Sequence, residues 1–103
     1  MIVTKAKYAH YMKNRNIIEG MKEQNDGLIG VYKEIRQKKG EDIAVYTSRL
    51  PLALGKKTKA FDHPLKACMH YNMTVRRCFG SDAVLCDPLA VVRRFMLDGN
   101  EVS

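Results

Sequence analysis

The segment Pro64–Phe79 constrains the fold most, because its residue pattern predicts an amphipathic helix with defined ends. Pro64 suits the first turn of a helix, and Gly80 suits the position just after its C-terminus. At about 100° per residue, the apolar residues fall on one side. These residues are Ala67, Cys68, Tyr71, Val75, Cys78 and Phe79. A helix with one apolar side needs a packing partner, and the short strand-like runs before it are available.

Three runs rich in β-branched, aromatic or threonine residues precede this helix. Residues 43–48 are the clearest strand, residues 28–35 suit either a strand or a helical turn, and residues 56–61 form a short third run. The turn-like residues 38–42 favour a hairpin between the first two runs, and residues 51–55 read as a loop. Three such strands would cover the apolar side of the helix.

Two further helices are expected at the ends of the chain. Residues 4–24 are expected to form a helix with Thr4 as its N-cap. A second helix should begin at Asp87-Pro88 and end at Gly99, and residues 100–103 should form a frayed tail. We therefore predict an α+β fold, in which a three-stranded antiparallel sheet packs against one helix and additional helices lie at both termini. The segments are an N-terminal extension (1–27), a sheet-plus-helix domain (28–87) and a C-terminal helix with its tail (88–103).

The charge balance indicates a polyanionic partner. The chain has 18 Lys+Arg against 11 Asp+Glu, a net charge of +7, and neutralising phosphates releases condensed counterions. Three cysteines without a CxxC pair favour reduced thiols, and no apolar run is long enough to span a membrane. We expect a cytoplasmic protein that does not bind a membrane.

Metal and catalytic chemistry are not expected. His70 lies about 200° around the predicted helix from Cys68 and about 80° from Cys78, so the three cannot converge on one zinc ion. The same geometry separates any thiol from an imidazole that could activate it. No glycine-rich phosphate loop and no suitable carboxylate pair is present. We predict a non-enzyme that needs neither metal nor cofactor.

Strand alternation predicts which side chains face away from the helix. In the first strand, Val31 and Ile35 would face inward, and Tyr32 and Glu34 outward. In the second, Ile43, Val45 and Thr47 would face inward, and Ala44, Tyr46 and Ser48 outward. In the third, Lys57 and Lys59 would face outward. The predicted exposed surface therefore combines tyrosines, a serine and lysines.

The spacing of several residues resembles that of the plant Apetala/ethylene-response-factor (ERF) DNA-binding domain, which also occurs in phage and mobile-element proteins. Gly30-Val31 match its first strand, Phe61 the end of its third strand, and Tyr71-Asn72 the Tyr-Asp pair of its helix. Gly80, Ala83 and Leu85 match the Gly-x-x-Ala-x-Leu that follows. Cys86 stands where the family has Asn, and the chain has no Trp. The resemblance implies that the sheet binds in the major groove.

We therefore expect a non-catalytic protein that binds double-stranded DNA through its sheet, as a phage or mobile-element regulator or recombination accessory. The expected DNA-binding residues are Tyr32, Arg36, Tyr46, Ser48, Arg49, Lys56, Lys57 and Lys59. One alternative is a protein-interaction module that inhibits a host protein without DNA, and another is an RNA binder. The sequence leaves the oligomeric state open, including a homo-oligomer.

Overall fold

Three antiparallel strands in the order β1–β2–β3 form one sheet in the described chain, residues 3–97 of a computed structural model. The helices are α1 (Lys5–Gln24), α2 (Pro64–Phe79) and α3 (Pro88–Val91), and the strands are β1 (Val31–Lys38), β2 (Glu41–Arg49) and β3 (Thr58–Phe61). Leu52–Leu54 and Gly80–Asp82 form 3₁₀ turns, and a π-helical segment, Val92–Leu97, continues α3. The predicted α+β fold is confirmed. The predicted helix end at Gly99 and the tail at 100–103 lie outside the described residues.

β1 and β2 form a long hairpin that turns at Lys39 and Gly40. Both residues have positive φ, 53° and 81°, the conformation that suits the twist of a two-residue hairpin loop. Along β1, the register runs from Val31 opposite Ser48 to Lys38 opposite Glu41, whereas β3 pairs only with residues 46–49. The hairpin therefore extends beyond β3, and its residues 35–44 are all exposed.

α2 has the predicted bounds, because its caps and its apolar side are local features of the sequence. His63 is the N-cap, and its Nδ1 accepts a hydrogen bond from the Leu65 N–H at 3.1 Å. Gly80 follows the helix with a φ of 61°, which favours glycine. The predicted apolar side is buried, except that Cys78 is half-buried.

Tyr71 brings α2 into direct contact with the start of the sheet. Gly30 has a φ of 73°, and a Cβ built on it would lie 2.3 Å from Cε2 of the Tyr71 ring. Position 30 therefore requires glycine both for its backbone conformation and for the space that the ring occupies. Tyr71 and the neighbouring Val31 are both buried, so this contact lies in the core.

α1 packs on the C-terminal end of α2 through Tyr11. The rings of Tyr11 and Phe79 are stacked with their centroids 3.8 Å apart, and the Tyr11 hydroxyl accepts a hydrogen bond from the Val84 N–H at 2.8 Å. Arg15 Nε donates to the carbonyl of Asp82 at 2.8 Å. The sequence left open whether α1 packs on the domain, dimerises or binds DNA, and these contacts show that it packs on the domain.

Asn72 ties the segment after α2 back to the helix. Its Nδ2 donates to the Cys86 carbonyl at 2.8 Å, and its Oδ1 accepts from the Cys86 N–H at 2.7 Å. Asp87 then caps α3 by accepting from the Leu89 N–H at 3.0 Å. Thr4 caps α1, so both predicted N-caps are confirmed.

Replacing Gly30 by alanine should destabilise the protein far more than the same change at Gly40. Gly30→Ala combines the cost of a positive φ with a clash against a buried ring, so we expect a decrease in the free energy of unfolding of about 3 kcal/mol or more. Gly40 has a φ of 81° but open space around it, so Gly40→Ala should cost only about 1 kcal/mol. Urea denaturation measures both decreases, and equal values would contradict the packing of Tyr71 on Gly30.

Candidate nucleic-acid interface

Strand pairing divides the sheet into a face that contacts α2 and an outer face. Residues directly opposite each other on paired strands share a face, so Val31, Ser48 and Lys59 lie on one side. Ser48 is completely buried, and its Oγ lies 2.9 Å from Nδ1 of His70 on α2. The side of Ser48 is therefore the α2 face, and Tyr32 and its neighbours form the outer face.

The predicted orientation of β2 is wrong, because residues 43–48 all face the opposite way. Tyr46 lies on the α2 face and its ring contacts Phe95 at a centroid distance of 5.6 Å. Ile43, Val45 and Thr47 were expected to face inward, but they pair with Arg36, Glu34 and Tyr32 on the outer face, where Thr47 is nevertheless buried. The apolar side chains of Ile43 and Val45 therefore do not pack against α2. The residue of β2 that is buried against α2 is Ser48, which has a small side chain.

Three of the predicted DNA-binding residues, which were expected to face outward, therefore lie on the α2 face. Tyr46 and Ser48 are held against the C-terminal segment and α2. Lys59 is opposite Ser48 and also lies on the α2 face, with its Nζ 5.7 Å from the centroid of the Phe61 ring. The predicted single surface of Tyr32, Tyr46, Ser48, Lys57 and Lys59 does not exist. The expected outward orientation of Tyr32 and Glu34 is confirmed.

The outer face brings two arginines together around one carboxylate. Arg36 Nη2 lies 3.4 Å from Glu34 Oε1, and Arg49 Nη2 lies 3.8 Å from Glu34 Oε2. The Arg49 guanidinium also stacks over the Tyr32 ring, 4.4 Å from its centroid. We call Tyr32, Glu34, Arg36 and Arg49 the outer-face cluster. Both arginine side chains are about half exposed, at 51% and 50%, so they remain accessible to a ligand.

Glu34 is the residue of this cluster that the predicted site omitted. It lies two residues from Tyr32 and two residues from Arg36 along β1, so all three share one face. This spacing was the available signal for its outward orientation. Its pairing with Arg49 depends on the strand register, which only the fold reveals. The carboxylate attracts both guanidiniums at 3.4 and 3.8 Å, and each guanidinium, with five N–H donors, keeps donors free for a ligand.

Lys56 lies beside the outer-face cluster at the end of a groove. A cavity of about 480 Å³ separates α1 from the start of β1 and the 50–56 loop, and Tyr32, Arg49 and Lys56 contribute to its lining. Lys57 follows in the same loop and is exposed, and its carbonyl accepts a hydrogen bond from the Leu50 N–H at 2.8 Å. Within residues 3–97, neither lysine has a carboxylate within 4.0 Å.

The described residues do not form a metal site, and the Cys68 thiol is not activated. No three His, Cys, Asp or Glu side chains in residues 3–97 lie together as metal ligands would. Cys68 is buried, and a hydrogen bond with Cys86 together with burial raises the pKa of its thiol, which disfavours a reactive thiolate. None of the helices in this part of the chain is both long enough and apolar enough to cross a membrane.

Comparison of the chain with protein-family models, with curated proteins and with solved structures gave no match.

The partial burial of His70 beside Lys59 should make the stability of the fold pH-dependent. Burial, followed by the charge of Lys59, lowers the pKa of His70. The unfolded chain then binds a proton at this position more readily, so the free energy of unfolding should decrease as the pH falls below about 6.5. Replacing the imidazole by an amide in His70→Gln removes this titration.

We expect the stability of the His70→Gln variant to decrease less than that of the wild type between neutral and mildly acidic pH. Urea denaturation at several pH values measures this, and His10→Gln, at an exposed position of α1, is the matched control. The same pH dependence in His70→Gln as in the wild type would contradict the assignment.

Proposed function

We propose that the protein binds double-stranded DNA without catalysis, through the outer face of its sheet. The observation that carries the proposal is the outer-face cluster, in which two half-exposed guanidiniums lie on one side of a hairpin, away from α2. The major groove admits a two-stranded β-ribbon. The hairpin presents such a ribbon, because its residues 35–44 extend beyond β3 and are exposed.

The cluster has the chemistry that base edges require. Arginine donates two parallel hydrogen bonds to O6 and N7 of guanine, and a glutamate accepts one from N4 of cytosine. Arg36 and Arg49 lie on either side of Glu34, so the three could read adjacent bases. Because Arg49 also stacks on Tyr32, its guanidinium is restrained before it binds, which reduces the entropy cost of the contact.

Lysines beside the cluster would contact the phosphate backbone. Lys56 and Lys57 lie in the loop next to Arg49, and Lys38 and Lys39 lie at the hairpin turn, all exposed. Contacts of this kind orient a protein on DNA and make its affinity depend on salt. The resemblance to the ERF domain favours the same use of the sheet, and it is the basis for proposing a regulatory or recombination-accessory role in a phage or mobile element.

The orientation of the tyrosines and the groove beside α1 bear on the two alternatives, an RNA binder and a protein-interaction module. An RNA-binding sheet needs exposed aromatic side chains on which bases stack, and Tyr46 is turned to the other face, which leaves Tyr32 for that role on the outer face. A protein-interaction module is favoured by the groove beside α1, where Ile17, Met21 and Leu52 are exposed. A module of this second kind would not bind random duplex DNA at low salt.

Removing two cations near the cluster should weaken DNA binding more than removing two elsewhere. The test pair is Arg49→Ala with Lys56→Ala, and the control is Arg76→Ala with Arg77→Ala on the exposed side of α2. Fluorescence anisotropy with a random-sequence duplex measures affinity against salt. We expect the affinity of the test variant to fall about tenfold or more, and its salt slope to decrease by about one unit for each phosphate that it no longer neutralises.

The control variant carries the same net charge as the test variant but should retain most of the affinity. An equal decrease in both would indicate binding by net charge rather than by the outer face. Absence of wild-type binding at low salt would reject DNA binding and favour the protein-interaction module. Competition between the DNA duplex and single-stranded RNA for the protein tests the remaining alternative, an RNA binder.

A further inference from the structure

β1 is an edge strand whose outward backbone groups have no partner among the described residues. The Arg49 N–H donates to the Gly30 carbonyl at 2.7 Å, and the short turn closes on the pair Lys38 and Glu41. Both facts place the even-numbered residues of β1 in hydrogen-bonded pairs with β2. The N–H and C=O groups of Val31, Lys33, Ile35 and Gln37 therefore point away from β2. Val31 itself is buried, so the accessible part of this edge runs from Lys33 to Gln37.

This edge lacks several of the devices that normally prevent strand pairing, although it carries Lys33 and Lys38. Such devices include a short length, a proline or a bulge. β1 has eight residues without proline, and its register with β2 continues without a bulge. Ile35, near the middle of β1, is 60% exposed. Exposing this apolar side chain to water is unfavourable in free energy, and a packing partner would bury it.

A second copy of β1 is the partner whose charges fit. Two β1 edges can pair antiparallel only if odd-numbered residues lie opposite odd-numbered residues, because these carry the free backbone groups. A pair centred on Glu34 would set two carboxylates opposite each other, and one centred on Arg36 two guanidiniums. Centred on Ile35, the pair sets Glu34 of each copy opposite Arg36 of the other. Like charges directly opposite destabilise a sheet, and opposite charges stabilise it.

We propose that the protein forms a symmetric dimer in which β1 pairs antiparallel with β1 of a second copy, with the two-fold axis at Ile35. The two Ile35 side chains then lie opposite each other, and Lys33 lies opposite Gln37, so no like charges meet. The sheets of both copies become continuous. Since directly opposite residues share a face, the two outer faces lie side by side. This inference does not depend on the proposed function, because it is argued from the free backbone groups of the edge and from the charges of Glu34 and Arg36, not from DNA binding.

The test reverses one charge of the proposed pair in each of two variants and then mixes the variants. Analytical ultracentrifugation without nucleic acid measures the fraction of dimer. The wild type should show a monomer–dimer equilibrium. Glu34→Arg alone and Arg36→Glu alone each set like charges opposite each other in the homodimer, so each should weaken dimerisation by roughly tenfold or more. An equimolar mixture of the two variants should recover dimers, because an acidic strand then meets a basic one.

Matched controls reverse charges on α1, away from the edge. Lys13→Glu and Glu23→Arg, both at exposed positions, should dimerise like the wild type, alone or mixed. Far-ultraviolet circular dichroism checks that every variant remains folded. A wild type that is monomeric at all concentrations would overturn the proposal. So would dimerisation of the two edge variants at wild-type strength, or a mixture that fails to recover dimers.

Discussion

The contact between Tyr71 and Gly30 is the constraint on which the arrangement of the sheet depends. The ring occupies the space of a Cβ at position 30, so α2 approaches the backbone at the start of β1 more closely than a side chain would allow. Val31 is buried beside this contact, and its partner across the hairpin, Ser48, is turned to the same face. Once this pair faces α2, the orientation of every other residue in the hairpin follows by alternation.

The outer-face cluster is a consequence of that orientation. Tyr32 and Arg49 flank the pair that faces α2, so both point outward, and Glu34 meets the guanidinium of Arg49 across the strands. The carboxylate lies near both cations and cancels part of their charge. In the proposed DNA complex, this would favour contacts of the cluster with base edges and leave phosphate contacts to the lysines of the neighbouring loop, which have no carboxylate partner among the described residues.

Local signals predicted the helices well, whereas the face of β2 depended on an interaction distant in sequence. Pro64, Gly80 and the apolar period of α2 are sufficient to locate that helix. In β2 the apolar residues Ile43 and Val45 suggested an inward face, but the distal part of the hairpin extends beyond β3 and is exposed on both faces. The role of Glu34 could not be predicted either, because its contact with Arg49 requires the strand register.

Mapping the bound surface by nuclear magnetic resonance tests the central claim most directly. Amide signals would be followed while a random-sequence DNA duplex is added at low salt, and again after salt is raised. We expect the largest shifts at Tyr32, Glu34, Arg36 and Arg49, and their reversal at high salt. Shifts concentrated on the exposed side of α2, around Met69 and Arg76, would contradict binding through the outer face.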